Sequence, residues 1–377
     1  MENRKERLLY IDYIRLLMIV FVVVQHLAVT YTGMGGWYYK EGAPLDLLTQ
    51  ASFGFYQSLT QGYFMGLLFL IAGYFAPGAY DKKGFGKFIR DRLVRLGIPA
   101  LIYILIIHPL IACYLLGYGA QVGFWSFYSG YFTTLGVLSG SGPLWFVIAL
   151  LIFSIVYGLI RRVVPAAGAA KREMKPSSKN IWILILIIAA CAFLIRIVQP
   201  IGTSIYNMQL CYFAQYIVLF IVGILAFRHN LFAKIPYRAG KKWLIFGVVA
   251  GFFSWSALML NGGALTGGQE LNGGFTWQSA GFSLWESFIA VAIDVGLIAI
   301  FREKCNRENK FFKTLSDNSF AVYVFHPPII IAAAMLFAPV QLPIAAKFAI
   351  MCIVCLPLCF LAAHFIVRKI PLLKKVM

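Results

Sequence analysis

The stretch Tyr13-Ile14-Arg15-Leu16-Leu17-Met18-Ile19-Val20-Phe21-Val22-Val23-Val24-Gln25-His26 is almost wholly apolar. It reads as a membrane-spanning helix. Two ionisable side chains interrupt it, Arg15 and His26, eleven residues apart. Eleven steps of about 100° make roughly three turns, so the two share one helical face. A rise of about 1.5 Å per residue sets them about 16 Å apart along the axis. That is roughly half of a hydrocarbon core about 30 Å thick. With Arg15 at an entry surface, His26 is expected near the middle of the membrane. An ionisable group at that depth is costly and points to function.

The rest of the chain has the same character. Of 377 residues, 61% are hydrophobic and only 12% are charged, and the mean hydropathy is +0.80. A water-soluble domain does not carry that balance, so an apolar solvent, the lipid bilayer, is expected around most of the chain. A net charge of +19 would suit a nucleic-acid partner if it formed one patch. Instead the basic residues fall in short clusters between apolar runs, as the positive-inside rule produces, and no nucleic acid is expected. Cys352, Cys355 and Cys359 share one apolar run and Cys191 lies in another, which is not a disulfide framework. Cys352-x-x-Cys355 is half of a zinc spacing without a second half, so no metal is expected. The first apolar run lacks a small-residue cleavage site and is expected to be retained.

Apolar runs of spanning length recur near 12–32, 55–76, 97–117, 143–163, 181–200, 210–228, 243–261, 282–301, 319–337 and 344–367. The fold class is therefore all-α, a polytopic membrane bundle of about ten transmembrane helices in a single membrane-embedded domain, 1–377. The basic residues set its orientation. Arg4, Lys5 and Arg7 precede the first span, and the second connection carries Lys82, Lys83, Lys87, Arg90, Arg92 and Arg95. Arg161, Arg162, Lys171, Arg172, Lys175 and Lys179 occupy the fourth, and Arg228, Lys234, Arg238, Lys241 and Lys242 the sixth. The eighth holds Arg302, Lys304, Arg307, Lys310 and Lys313, and the C-terminus Arg368, Lys369, Lys374 and Lys375. Only Arg15, Lys40, Arg196 and Lys347 of the 33 basic residues fall elsewhere. Both termini are thus expected in the cytoplasm.

The outward loops differ. Trp37, Tyr38 and Tyr39 with Glu41 and Asp46, then Trp125, Tyr128 and Tyr131, then Glu270, Trp277 and Gln278 combine aromatic rings with acids and amides. That mixture suits sugar recognition and equally suits an interfacial aromatic belt.

Several polar residues lie inside the apolar runs. Arg15 is three residues from Asp12 and can pair with it, or snorkel to the interface. His26 is either functional or bonded across helices as a structural residue. Arg92 and Arg95, three apart, share a helical face on which guanidinium forks can hold phosphates, or merely set topology. Ser316-Asp317-Asn318-Ser319 suits the cap of the ninth span, with His326-Pro327-Pro328 about 10 Å inside. Prolines at depth are tolerated where the backbone is buried or lines a cavity, or they make a simple kink. Arg196, Glu286 and Asp294 are further candidates, with Arg196 expected to pair with a carboxylate. His108, before Pro109, reads as structural, and His229 and His364 lie at span ends.

Taken together these residues resemble the acyltransferase-3 family of integral membrane O-acyltransferases. The resemblance rests on Ile11-Asp12-Tyr13-Ile14-Arg15 with the Arg-x10-His spacing to His26, and on Phe64-Met65-Gly66-Leu67-Leu68-Phe69-Leu70-Ile71-Ala72-Gly73-Tyr74. It continues through Arg92-x-x-Arg95 with Pro99, Gly142-Pro143-Leu144-Trp145-Phe146-Val147 and Tyr323-Val324-Phe325-His326-Pro327. The Gly-Pro-Leu-Trp-Phe form, in a chain expected to carry no attached hydrolase-like domain, looks closest to the glucan-modifying, succinyltransferase-like branch.

The resemblance implies an enzyme of the bacterial cytoplasmic membrane that transfers acetyl or succinyl, not an aminoacyl group. The donor would be cytoplasmic acyl-CoA, a co-substrate with no bound cofactor, and the acceptor a hydroxyl of an envelope or secreted carbohydrate. In that setting His26 and His326 are the catalytic candidates, with His26 as general base or acyl-carrying nucleophile. Arg15, Arg92 and Arg95 are the donor-binding candidates, and Asp12, Trp145, Tyr323, Arg196 and Glu286 support them. A transporter or flippase of a polysaccharide precursor, without covalent chemistry, would also use buried His and Arg residues.

Overall fold

The computed structural model describes residues 8–42, 44–164, 174–264 and 267–374. The basic residues Arg4, Lys5, Arg7, Lys171, Arg172 and Lys375 lie outside them. Within them the chain is helical, without a strand. The main helices are α1 (Leu9–Thr32), α2 (Leu47–Leu115), α3 (Phe124–Thr133), α4 (Trp145–Val163) and α5 (Ser178–Val198). They continue with α6 (Phe213–His229), α7 (Tyr237–Asn261), α8 (Trp277–Lys304), α9 (Lys310–Phe337) and α10 (Ile344–Phe365).

Among the described residues nine helical stretches are long and apolar enough to cross a membrane, one fewer than the ten runs read from sequence. The difference lies in α2. It runs for 69 residues, through both the second and the third apolar run. At about 1.5 Å per residue that is roughly three hydrocarbon-core thicknesses, and the helix bends at Gly84 (φ 69°, ψ 172°). Glycine takes that positive φ without steric cost. Beyond the bend, π-helical turns at Leu93–Gly97, Tyr103–Ile107 and Ile111–Leu115 interleave with α turns that begin with Pro99 and Pro109 near their starts. Proline offers no N–H to the carbonyl four residues back, and wider turns are one way for the backbone to re-pair.

Local chemistry sets the helix starts. Asp46 caps α2 by accepting from the Thr49 N–H at 2.9 Å, and the Thr49 contacts hold its carboxyl below the usual range. Thr276 caps α8 through the Ser279 N–H at 3.1 Å. Asn309 caps α9, accepting from Phe311 and Phe312 at 3.0 and 3.1 Å. The α9 cap therefore precedes the Ser316–Ser319 cluster, which lies inside the helix. The Ser316 hydroxyl reaches across to the Asp12 carbonyl at 3.2 Å, tying α9 to α1.

Packing puts α1 at the centre: Ile14, Met18, Val23 and Leu27 are fully buried, and α1 contacts α2, α8, α9 and α10. Lipid-facing positions are apolar in turn, as at Val198, Phe253 and Ile353. Small residues let backbones meet, as is common inside membranes. On α2 and α6 a Cβ added at Gly73 would lie 2.1 Å from the Phe220 carbonyl oxygen, and one at Gly223 2.1 Å from that of Leu70.

Gly223→Val should therefore wedge α6 off α2 and destabilise the protein by about 1–3 kcal/mol. Gly130→Ala, where a Cβ meets open space, should stay within about 0.5 kcal/mol of the parent. Thermal melts in detergent read both, and an unchanged melt for Gly223→Val would disprove the close crossing.

Candidate functional site

His26 comes from the middle of α1 and His326 from α9. Their rings stack in parallel, with centroids 5.1 Å apart and planes 15° apart, and His26 Nδ1 lies 3.0 Å from His326 Nε2. His326 is fully buried, at 0% exposure. Its other nitrogen, Nδ1, faces the carbonyl oxygens of Tyr323 at 2.8 Å and Val322 at 3.2 Å. Carbonyl oxygens only accept, so His326 Nδ1 carries a hydrogen. A neutral His326 then has a bare Nε2, and His26 Nδ1 must donate to it. That leaves the lone pair of His26 on Nε2. The arrangement gives His26 a base nitrogen and His326 the role of holding it.

The unpaired part of the His26 ring lines a cavity of about 1190 Å³. One wall is the 33–42 segment, which folds back into the bundle. Gly33 turns the chain out of α1 with φ 72°. The Glu41 N–H returns to the Thr30 carbonyl at 2.8 Å, and the Glu41 carboxylate pairs with Lys347 of α10. Between these anchors Trp37 stacks on His26 with centroids 3.8 Å apart and 16° between planes. The next residue, Tyr38, bonds His108 Nδ1 at 2.8 Å and the Tyr103 hydroxyl at 3.1 Å. Burial pushes the Tyr38 phenol up, so it stays a neutral hydroxyl. His108 in turn stacks on Tyr131 at 5.4 Å, whose phenol burial raises to about 12.

The other supporting residues meet this cavity. The Tyr323 hydroxyl donates to the Pro143 carbonyl, so the Tyr323–Pro327 and Gly142–Val147 motifs touch directly. Trp145 lines the cavity and stacks on Tyr216 at 5.7 Å. Arg196 is buried and pairs with Glu286, not with Asp294. It also donates to Ser283 at 3.1 Å and lies between the rings of Tyr212 and Phe282, 5.6 Å from each. Glu286 faces the same cavity. Asp294 is 2% exposed, and neither of its oxygens has a hydrogen-bond partner among the described residues.

The donor candidates lie apart from that cavity. Arg15 is 3.5 Å from Asp12 and its guanidinium sits 4.7 Å from the Phe75 ring centroid. Arg92 lies over Phe88 at 5.1 Å, close enough to Arg15 and Arg95 to feel both charges. Arg95 lines a second, basic groove of about 920 Å³ with Lys83, Lys87 and Arg90. The bend at Gly84 forms this groove, because it lets Lys83 reach Asp91 eight residues ahead at 2.5 Å. Arg15, Arg92 and Arg95 thus share one neighbourhood, with Arg95 inside the π turn from Leu93 to Gly97 that follows Arg92.

Sequence reading missed His108 and Lys347 as parts of the site, and offered Trp37 and Tyr38 only as loop aromatics suited to sugar recognition or to an interfacial belt. Nothing local shows that the loop folds inward. The Glu41–Lys347 pair, 306 residues apart, was the available signal, since Lys347 is a lone charge in an apolar run. Among the described residues no group of three or more His, Cys, Asp or Glu side chains could hold a metal ion.

The structure thus brings His26 and His326 together beside a cavity of about 1190 Å³ and sets Arg15, Arg92 and Arg95 apart from it on α1 and α2. No curated protein and no solved structure matches the chain. A family model described as an acyltransferase domain matches residues 8–364. With nearly the whole length matched, the chain belongs to the acyltransferase-3 family.

Proposed function

We propose that this acyltransferase moves an acetyl or succinyl group from cytoplasmic acyl-CoA to a hydroxyl of a cell-envelope or secreted carbohydrate. Its setting is the bacterial cytoplasmic membrane, with both termini in the cytoplasm, as the clustering of basic residues supports. The observation that carries the reading is the 3.0 Å His26–His326 bond beside the 1190 Å³ cavity. It commits one nitrogen of His26 and keeps the other basic. The aromatic and amide lining, including Trp37, Trp145, Gln57 and Asn207, suits an uncharged polyhydroxylated acceptor.

In the proposed reaction His26 Nε2 takes the proton of the acceptor hydroxyl as its oxygen bonds to the thioester carbonyl carbon. The tetrahedral oxyanion then collapses, the C–S bond breaks, and the leaving thiolate takes the proton back from His26. The products are the ester and free CoA thiol. The transient imidazolium is stabilised in two ways. Trp37 presents a ring face to it, a cation–π contact. His326 can accept the Nδ1 proton and spread the charge toward the Tyr323 and Val322 carbonyls. Arg92, Arg95 and Arg15 hold the donor phosphates, with Asp12 orienting Arg15. Arg196 and Glu286 brace the cavity wall as a paired, buried ion couple.

His26→Ala should lower acyl transfer by about 10²-fold or more while the protein still inserts and folds. Retained O-acylation would sink the base assignment. In cells, deletion should remove an alkali-labile acyl group from an envelope or secreted glycan, read by mass spectrometry before and after mild alkali. A carrier would instead leave the acyl pattern intact and mislocalise the glycan.

Arg92→Ala combined with Arg95→Ala should raise the KM for acyl-CoA about 10- to 100-fold, the effect of losing one or two charge-assisted hydrogen bonds. Unchanged donor affinity by titration would remove their role.

A further inference from the structure

We propose that Pro327 is a positioning residue that fixes the direction of the proton between His26 and His326, and that it does so by leaving the Tyr323 carbonyl without a helical partner. Naming His26 as the base rests on the functional reading above; the proton arrangement itself does not.

In an α-helix each carbonyl accepts from the N–H four residues on. The partner of Tyr323 would be residue 327, which is proline and has no N–H. The helix nevertheless continues unbroken from Lys310 to Phe337. The Tyr323 carbonyl is therefore held at depth in a residue only 2% exposed, and an unmade hydrogen bond there is costly. His326 Nδ1 supplies the missing donor at 2.8 Å. The neighbouring Val322 carbonyl has the His326 backbone N–H as its own helical partner, and its contact with Nδ1 is longer, 3.2 Å. The free carbonyl at 323 thus makes the stronger claim on the ring hydrogen.

The consequence passes along the bond. With its hydrogen on Nδ1, neutral His326 can only accept at Nε2, so His26 Nδ1 donates and His26 Nε2 is bare. The reverse arrangement carries two penalties. It would set the His326 Nδ1 lone pair against two carbonyl oxygens, and it would orphan the Tyr323 carbonyl. It would also place a hydrogen on His26 Nε2 and leave no base. At Pro109, by contrast, the backbone takes a π turn over Tyr103–Ile107, and the Tyr128 hydroxyl also donates to the Leu105 carbonyl at 3.1 Å.

Pro328 is the internal control. It frees the Val324 carbonyl, which neither histidine touches. The experiment uses the full-length protein in lipid nanodiscs with ¹⁵N-labelled histidine, the five histidines being assigned by single variants. In the parent, solid-state NMR should show the hydrogen on Nδ1 of both His26 and His326. Pro327→Ala supplies a competing N–H to Tyr323. It should bring in the opposite tautomer at both rings and lower kcat about tenfold, with the KM for acyl-CoA within twofold. Pro328→Ala should leave both tautomers and kcat as in the parent. The proposal is overturned if parent His326 carries its hydrogen on Nε2, a reading that needs no variant to fold. It is equally overturned if Pro327→Ala leaves the tautomers unchanged, or if the two alanine variants behave alike. Should the parent show the expected tautomers yet esterify no glycan, the functional reading fails and the positional inference stands.

Discussion

Two imidazole nitrogens that face each other at hydrogen-bond distance share one proton, and everything about this site depends on which ring owns it. In water the matter would be settled by exchange. In the buried interior of the bundle it is settled by the remaining contacts of each ring, because a wrong choice leaves buried polar atoms unpaired. His326 has no freedom here, with both nitrogens engaged and no exposed surface. His26 inherits its state from His326 and presents the consequence to the cavity. A buried histidine that looks redundant thus decides which nitrogen of the accessible one is left bare.

Other polar groups follow the same rule with differing success. Arg196 has a carboxylate, a hydroxyl and two aromatic faces around it. Lys347 and Glu41 neutralise each other and in doing so pin the 33–42 segment against the bundle. That pin matters because Trp37 and Tyr38 contact both histidines of the cavity, His26 and His108. The loop is therefore a wall of the site, ordered by one ion pair and one return of backbone to Thr30. Asp294 departs from that rule, deep and with neither carboxylate oxygen hydrogen-bonded among the described residues.

Much of this was legible in the sequence for one reason: lipid imposes a one-dimensional code. Long apolar runs give helices, and an ionisable residue within them is conspicuous. His26, His326, Arg196 and Glu286 stood out that way, and the structure joins them in pairs. What the code does not carry is sideways information. Arg196 had two carboxylates to choose from, and only packing of α5 on α8 selects Glu286. His108 read as structural because Pro109 explained it, while its partner Tyr38 lay in a loop with no periodicity to betray an inward fold. The α2 helix escaped for a different reason. Its bend comes from one glycine φ angle, and Gly84 gives no sign in sequence that the helix continues past it. The start of α9 was placed too late because Ser316–Ser319 has capping chemistry, yet those hydroxyls serve helix–helix contacts and Asn309 does the capping.

The prolines complete the argument. In a soluble helix an interior proline mostly breaks a hydrogen bond that water then repairs. Where water is absent, the freed carbonyl persists as an acceptor fixed in place by the rest of the helix. The Tyr323 carbonyl is one of these, with the His326 ring beside it as donor. Another proline, Pro143, offers its own carbonyl to the Tyr323 hydroxyl. Tyr323 is thereby held at both ends, by its backbone oxygen to His326 and by its phenol to the start of α4. A shift of α4 relative to α9 would pull on the residue that orients the histidine pair. The cavity wall and the proton arrangement are in this way coupled through one tyrosine, which explains why motifs some 180 residues apart belong to one site.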